Sequence, residues 1–250
     1  MNYYNRYVSR IVSLGEARAP RGLEIKSLQA ERFAVKTGIT YRRPMDNPLI
    51  GFMEGLQFIA EIFNKDAIAR IAPHARLDLF GFNSAYGPRV MGQTEKIIDE
   101  LINDPATRRA VMILAKPDEN LALRPCTTSL QFRVNGYRLD TIVNMRSSDA
   151  VYGLPYDLTQ FGMLSMVIAS CAGFVTNNLI IEIGDAHVYL ETKHLASGSK
   201  QWEFELPDIE IPNGLTSLDS WKAWAMEAIG LLSPGYVNDT FKYKKSEVES

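Results

Sequence analysis

The stretch Ser129-Leu130-Gln131-Phe132-Arg133-Val134-Asn135-Gly136-Tyr137-Arg138-Leu139-Asp140-Thr141-Ile142-Val143 decides the fold class. Two runs rich in β-branched and aromatic residues, Ser129 to Val134 and Tyr137 to Val143, flank Asn135-Gly136. Both central residues of a type I′ turn need positive φ, which asparagine and glycine tolerate, so the pair predicts a hairpin. A hairpin here argues against a doubly wound parallel sheet. Ala110 to Leu114 and Leu179 to Ile183 are further apolar strand runs. Four helices surround them. Asn47-Pro48 starts one, an N-cap followed by proline at the first helical position. Leu49, Phe52, Met53, Leu56, Ile59, Ala60 and Phe63 then recur at helical spacing, with Glu54, Gln57 and Glu61 on another face. The others span about 93–102, 158–172, closed by Gly173, and 218–232, which carries Trp221 and Trp224. The order is mixed, so the expected fold is α+β, one mixed β-sheet covered by helices.

The 250 residues carry 27 Lys plus Arg against 29 Asp plus Glu, a formal charge of −2. A general nucleic-acid binder usually has a basic excess, so direct nucleic-acid binding is not expected. No apolar run reaches the roughly 18 residues of a membrane span. The start, Met1 to Tyr7, is polar and aromatic, unlike a signal peptide. Two cysteines, Cys126 and Cys171, make no disulfide framework, and a cytoplasmic location is expected. No linker or repeat divides the chain, so 1–250 is read as one domain with a charged C-terminal end.

Several motifs are candidates for chemistry. Cys126, between Arg124-Pro125 and Thr127-Thr128, is either a small buried hydrophobe or a thiolate nucleophile served by nearby arginines. Cys171 lies on an apolar helix and reads as core. Arg108-Arg109 is either a solvated turn or a phosphate clamp, because guanidinium groups bind phosphate oxygens in pairs. Asp157 is either a site residue or the N-cap of the helix beginning at Leu158, with Gln160 completing a capping-box spacing. In Gly184-Asp185-Ala186-His187-Val188-Tyr189, either Asp185 orients His187, with His187 and Tyr189 bonding a sugar hydroxyl, or His187 is an ordinary satisfied surface histidine, the commoner outcome for such a residue. His74, His187 and His194 lack metal-ligand spacing with the cysteines, so no metal is expected.

Five segments, in this order, resemble the thymidylate synthase family, including its nucleotide hydroxymethylase branch. They are Asp104 to Arg109, Pro125 to Phe132, Met145 to Asp149, Gly153 to Asp157 and Gly184 to Tyr189. The resemblance implies a homodimer with shared active sites and a bent mixed sheet at its interface. It also implies 5,10-methylenetetrahydrofolate as one-carbon donor and a pyrimidine nucleoside 5′-monophosphate as acceptor. It makes Cys126 the nucleophile at pyrimidine C6, which activates C5. Arg21, Arg146 and Ser147 would bind the phosphate, joined by Arg108 and Arg109 of the partner subunit. Gln131, His187 and Tyr189 would bind the nucleotide, the last two its sugar. Glu54 would order water and move protons, and Asp149, Tyr86 and Glu54 would line the folate site.

Three departures refine this. Asp157 stands where the synthases have asparagine. A carboxyl sharing one proton matches the cytosine edge, whose N4 donates and whose N3 accepts. Thr127 replaces the histidine that usually follows the cysteine. The end, Lys244 to Ser250, is too charged to seal a folate site as the apolar synthase tail does. A dry site favours hydride transfer and an open one favours water. The combined reading is a dCMP 5-hydroxymethylase, of the kind bacterial viruses use to modify DNA precursors. A dUMP or dCMP methylase and a CMP hydroxymethylase are alternatives within the family. A cysteine acyl-transfer enzyme and a non-enzymatic nucleotide-binding module are the alternatives outside it.

Overall fold

A computed structural model describes residues 3–37, 48–71, 86–192 and 211–232. Asn47, His74, His194 and the C-terminal segment fall outside the described residues. The described elements are α1 (Tyr3–Leu14), β1 (Glu16–Arg18), β2 (Ile25–Lys36), α2 (Pro48–Ile59), α3 (Lys65–Ile71), α4 (Gly87–Val90), α5 (Gln93–Asn103), β3 (Val111–Ile113), β4 (Thr127–Asn135), β5 (Arg138–Met145), β6 (Ser148–Asp149), α6 (Leu154–Ala172), β7 (Val175–Tyr189) and α7 (Leu218–Leu231).

The sheet runs β1-β2-β7-β5-β4-β3, with β6 also on β7. β7 pairs in parallel with β5 and β6, and every other pairing is antiparallel. The fold is therefore α+β with a mixed sheet. Register shifts between Thr127 and Ser129 and between Leu139 and Thr141 interrupt the ladders flanking β5. Such irregularities bend strands and often mark functional edges.

The hairpin forms with its turn one residue later than the sequence suggests. Asn135 pairs with Arg138, so Gly136 and Tyr137 are the central residues. Only Gly136 has positive φ, at 62°, which is the pattern of a type II′ turn instead of type I′. The strand at Leu179 extends to Tyr189, so the Asp185, His187 and Tyr189 motif lies within β7 and not after it. Period-2 burial persists through it, with Ala186 and Val188 both fully buried.

Two apolar clusters share α6. Leu158, Phe161, Leu164 and Ile168 face the sheet together with α1 and α5. Met163 and Val167 face α2, α3 and α7. A helix buried on both sides is apolar around most of its circumference, as α6 is. Gly173 ends it in the left-handed conformation, φ 79°, as expected of a C-cap. Cys171 is half-buried and packs on both clusters. On the other sheet face Arg32, Ala34, Gln131, Ile142, Asn144 and Glu182 are half-buried or exposed.

Two helix boundaries differ from expectation, with consequences for the site. α2 stops at Ile59, and Glu61 beyond it has φ 56°. Its polar face is buried with partners: Gln57 exchanges hydrogen bonds with the Asn64 backbone, and Glu61 accepts from Lys222 Nζ at 2.8 Å. α6 begins at Leu154, with Gly153 as N-cap and Pro155 in its first turn. Asp157 lies inside the helix, its N–H donating to the Gly153 carbonyl, so it is not the N-cap.

Candidate active site

Cys126 sits where a loop enters β4, next to the bulge. That loop is tied to Arg146, the first residue after β5. The Arg146 N–H donates to the Cys126 carbonyl at 2.9 Å. Its Nε donates to the Pro125 carbonyl at 3.1 Å and its Nη2 to the Arg124 carbonyl at 3.0 Å. These bonds fix a guanidinium beside the cysteine. The thiol is solvent-accessible, yet protein crowds its surroundings and desolvation raises its pKa. Arg146 and Arg21 pull the pKa down, while Asp157 and Asp149 push it up. Arg21 holds a positive φ of 55° within the turn Pro20–Gly22. That conformation is strained for a residue with a side chain and is often kept at functional sites.

Glu54 on α2 and Asp157 on α6 form an acidic pair. The helices approach closely because Gly51 and Gly55 face α6. A Cβ at Gly51 would lie 3.0 Å from Tyr156 Cα, and one at Gly55 would lie 2.4 Å from Met163 Sδ. Desolvation pushes the Glu54 carboxyl up to about 8, with the Asp157 charge adding to it. Burial likewise raises Asp157 to about 7, opposed by the Gln160 amide, whose Nε2 donates to Asp157 Oδ1 at 3.0 Å, and reinforced by Asp149. Carboxyls with pKa values near neutrality are suited to general acid–base work.

Tyr86 lies beside this pair. Its ring stacks on Phe161 at 5.8 Å and tilts against Phe58 at 5.9 Å. Its oxygen accepts from Thr127 Oγ1 at 2.9 Å and the Thr127 N–H at 3.4 Å. Desolvation first, then the Asp157 and Cys126 charges, hold the phenol well above its ordinary pKa. Asp149 Oδ1 accepts from the Val151 N–H at 2.8 Å, which orders the turn into α6.

On β7, His187 Nδ1 lies 3.2 Å from Asp185 Oδ1 and 3.4 Å from Ser147 Oγ. Asp185 also accepts from Ser27 Oγ at 2.7 Å. A proton on Nδ1 toward the carboxylate leaves Nε2 as an acceptor. The Tyr189 ring meets His187 edge-on at 5.3 Å.

The fold thus gathers Cys126, Arg146, Arg21, Tyr86, Asp157, Glu54 and Asp149 into one electrostatic group. Ser147, His187 and Tyr189 join through the residue after Arg146. Arg108, Arg109 and Gln131 make their contacts elsewhere, and the charges that act on the thiol are those of Arg146, Arg21, Asp157 and Asp149. Arg109 Nε donates to Glu100 Oε1 at 3.0 Å, and Gln131 Nε2 donates to the Arg108 carbonyl at 3.1 Å. Gln131 lies on the half-exposed sheet face. The Thr127–Tyr86 contact and the Gly51/Gly55 approach are absent from the sequence reading. Small residues four apart on α2 were the available signal for the second; nothing local signals the first. Among the described residues no group of three or more His, Cys, Asp and Glu is arranged to hold a metal ion, and no helix is long and apolar enough to cross a membrane.

The family model described as "Thymidylate synthase" matches residues 71–243, more than half of the chain. The chain belongs to the thymidylate synthase family. It is 35% identical over 124 residues to "Thymidylate synthase 1" of Bacillus spizizenii, covering 48% of this chain and 44% of that protein. It is 33% identical over 134 residues to "Thymidylate synthase 1" of Bacillus subtilis, covering 52% and 47%. The "Thymidylate synthase" of Bacillus phage phi3T is 32% identical over 134 residues, with the same coverage, 52% and 47%. The chain spans about half the length of the curated relatives it matches.

Proposed function

We propose that residues 1–250 form one catalytic domain that transfers a one-carbon unit from 5,10-methylenetetrahydrofolate to C5 of dCMP and hydrates it to 5-hydroxymethyl-dCMP. The observation that carries the cytosine choice is Asp157, a buried carboxyl near neutrality that does not cap its helix. One oxygen accepts from the N4 amino group, and the other shares a proton with N3. Sharing that proton draws electrons from the ring and makes C6 more electrophilic.

The Cys126 thiolate forms the S–C6 bond, and the C5=C6 pair becomes the nucleophile at C5. Arg146 and Arg21 favour that thiolate and, with Ser147, supply donors for a 5′-phosphate. The folate supplies the one-carbon unit; Asp149 offers a carboxylate acceptor that fits a ring bearing N–H groups, and Tyr86 lines the same site. C5 gains the methylene, loses its proton to a carboxyl of the Glu54–Asp157 pair, and tetrahydrofolate departs. Water guided by Glu54 adds to the exocyclic methylene and gives up a proton. Expulsion of the Cys126 thiolate restores C5=C6. The sum consumes water and needs no reductant. His187 Nε2 and Tyr189 serve the sugar, with Asp185 holding the imidazole.

The half-exposed sheet face, with Gln131 and the Arg108-Arg109 segment at its edge, supports a homodimer. Arg108 and Arg109 then reach the phosphate site of the partner. A second reading is methylation, favoured by the printed names of the matched relatives. The test is mass spectrometry of the product from dCMP, CMP and dUMP with methylenetetrahydrofolate, together with dihydrofolate absorbance. Hydroxymethyl-dCMP with no dihydrofolate is expected. A methylated product with stoichiometric dihydrofolate overturns hydration.

A further inference from the structure

We propose that Thr127 is a positioning residue that makes the Tyr86 hydroxyl a one-way hydrogen-bond donor toward Cys126. The direction of the 2.9 Å bond between the two hydroxyls sets the heading of the phenol proton. Each hydroxyl has one proton, and either can donate. Thr127 is fully buried, whereas Tyr86 is half-buried. Among the described residues, Tyr86 is the hydrogen-bond partner of the Thr127 hydroxyl. If Tyr86 donated to Thr127, the buried Thr127 proton would have no acceptor among the described residues, which is costly. If Thr127 donates, its proton is satisfied and the Tyr86 proton turns toward the cleft.

A second contact agrees in direction. The Thr127 N–H also points at the Tyr86 oxygen, at 3.4 Å, and an N–H can only donate. Both acceptor positions of the phenol oxygen are then taken. Phe58 and Phe161 hold the ring, so the remaining O–H has a fixed heading. Cys126 adjoins Thr127 in the chain, and the charges of Cys126 and Asp157 both act on the phenol. Tyr86 therefore serves as a donor that steadies negative charge at the cysteine, and removing a proton from C5 falls to the carboxyl pair. This deepens the proposed reaction and rests on Cys126 being its nucleophile.

The test reads the thiol without nucleotide or folate. The 250-residue wild type, Thr127→Ser, Thr127→Val, Tyr86→Phe and the Thr127→Val/Tyr86→Phe double variant are alkylated with iodoacetamide across pH. Modification of the Cys126 peptide is followed by mass spectrometry, which separates it from Cys171. Thr127→Ser should keep the wild-type midpoint. Tyr86→Phe should move it upward by about one to two pH units, the scale of one hydrogen bond to a charged group, and Thr127→Val should move it upward by part of that. The double variant should move no further than Tyr86→Phe alone. A downward shift in Thr127→Val would mean that Tyr86 donates to Thr127, and overturns the proposal. Additive shifts in the double variant, or a Tyr86→Phe shift with none in Thr127→Val, overturn it too. Because no substrate is present, a failure of dCMP turnover with the expected alkylation pattern rejects the proposed function and leaves the positioning role standing.

Discussion

Replacing Asp157 by asparagine should invert base preference without harming the fold. Asp157 as a residue is 8% exposed, so water cannot rescue a mismatched base edge. An asparagine whose amide is held in one orientation by the Gln160 bond donates to O4 of uracil and accepts from its N3–H, the reverse of what cytosine requires. A buried donor or acceptor left unmade costs about 1–3 kcal/mol, so two adjacent mismatches cost about 2–6 kcal/mol. At 1.4 kcal/mol per factor of ten, the specificity change is roughly 30-fold to 10⁴-fold. Stability should hold, because an asparagine Oδ1 can still accept from Gln160 Nε2, the bond that spans 3.0 Å here. The substitution also removes a carboxyl that resists ionising in its buried setting. The assay is kcat/KM for dCMP and dUMP in wild type and variant, with a melting curve for each. A cooperatively folded variant whose dCMP/dUMP ratio matches wild type would refute the reasoning, and with it the choice of cytosine over uracil.

Cys126→Ser should abolish turnover while nucleotide binding stays measurable by calorimetry, and Cys171→Ser should remain active; wild-type turnover in Cys126→Ser would remove the covalent step. Mixing Cys126→Ser chains with Arg109→Ala chains should restore activity in heterodimers, and verified heterodimers without rescue would count against shared sites. Glu54→Gln should raise Tm at pH 8 but not at pH 4, read by calorimetry. The folded-state pKa is raised from 4.5 to about 8, so the folded form holds this proton more tightly than the unfolded chain does. That contribution to stability is complete below about pH 4.5 and is lost as pH rises toward 8. A Tm gain at pH 4 equal to that at pH 8 would contradict the assignment.

The hairpin, α2, α5, α6 with its Gly173 cap, and the residues of the five motifs were legible in the sequence. Each depends on neighbours within a few positions: turn chemistry, apolar periodicity, a cap, or the order of reactive residues along the chain. α1 and β2 were missed, although Tyr4, Tyr7, Val8 and Ile11 keep helical spacing and Ile25, Ser27, Glu31 and Phe33 keep a two-residue period. Glu31 is a buried acid in that strand, paired with Arg10, and it breaks the apolar signal. The turn slipped by one residue because cross-strand register is settled by pairing along the whole ladder, not by the turn dipeptide alone.

What Asp157 does could not be read locally, since a cap and a base-recognition carboxyl share one pattern. Tertiary structure excluded the cap by starting α6 three residues before Asp157, and it buried that side chain against Gln160. The same holds for the Glu54 carboxyl, whose pKa reflects the desolvation created where α2 meets α6. Thr127 and Tyr86 are 41 residues apart, and their bond exists only because packing brings the β4 entrance to the start of α4. The sequence by itself determined which reactive groups the chain carries and much of its local structure. Distances between those groups, the water removed around them and the direction of their hydrogen bonds depend on elements remote in the chain, so only the tertiary structure decided them.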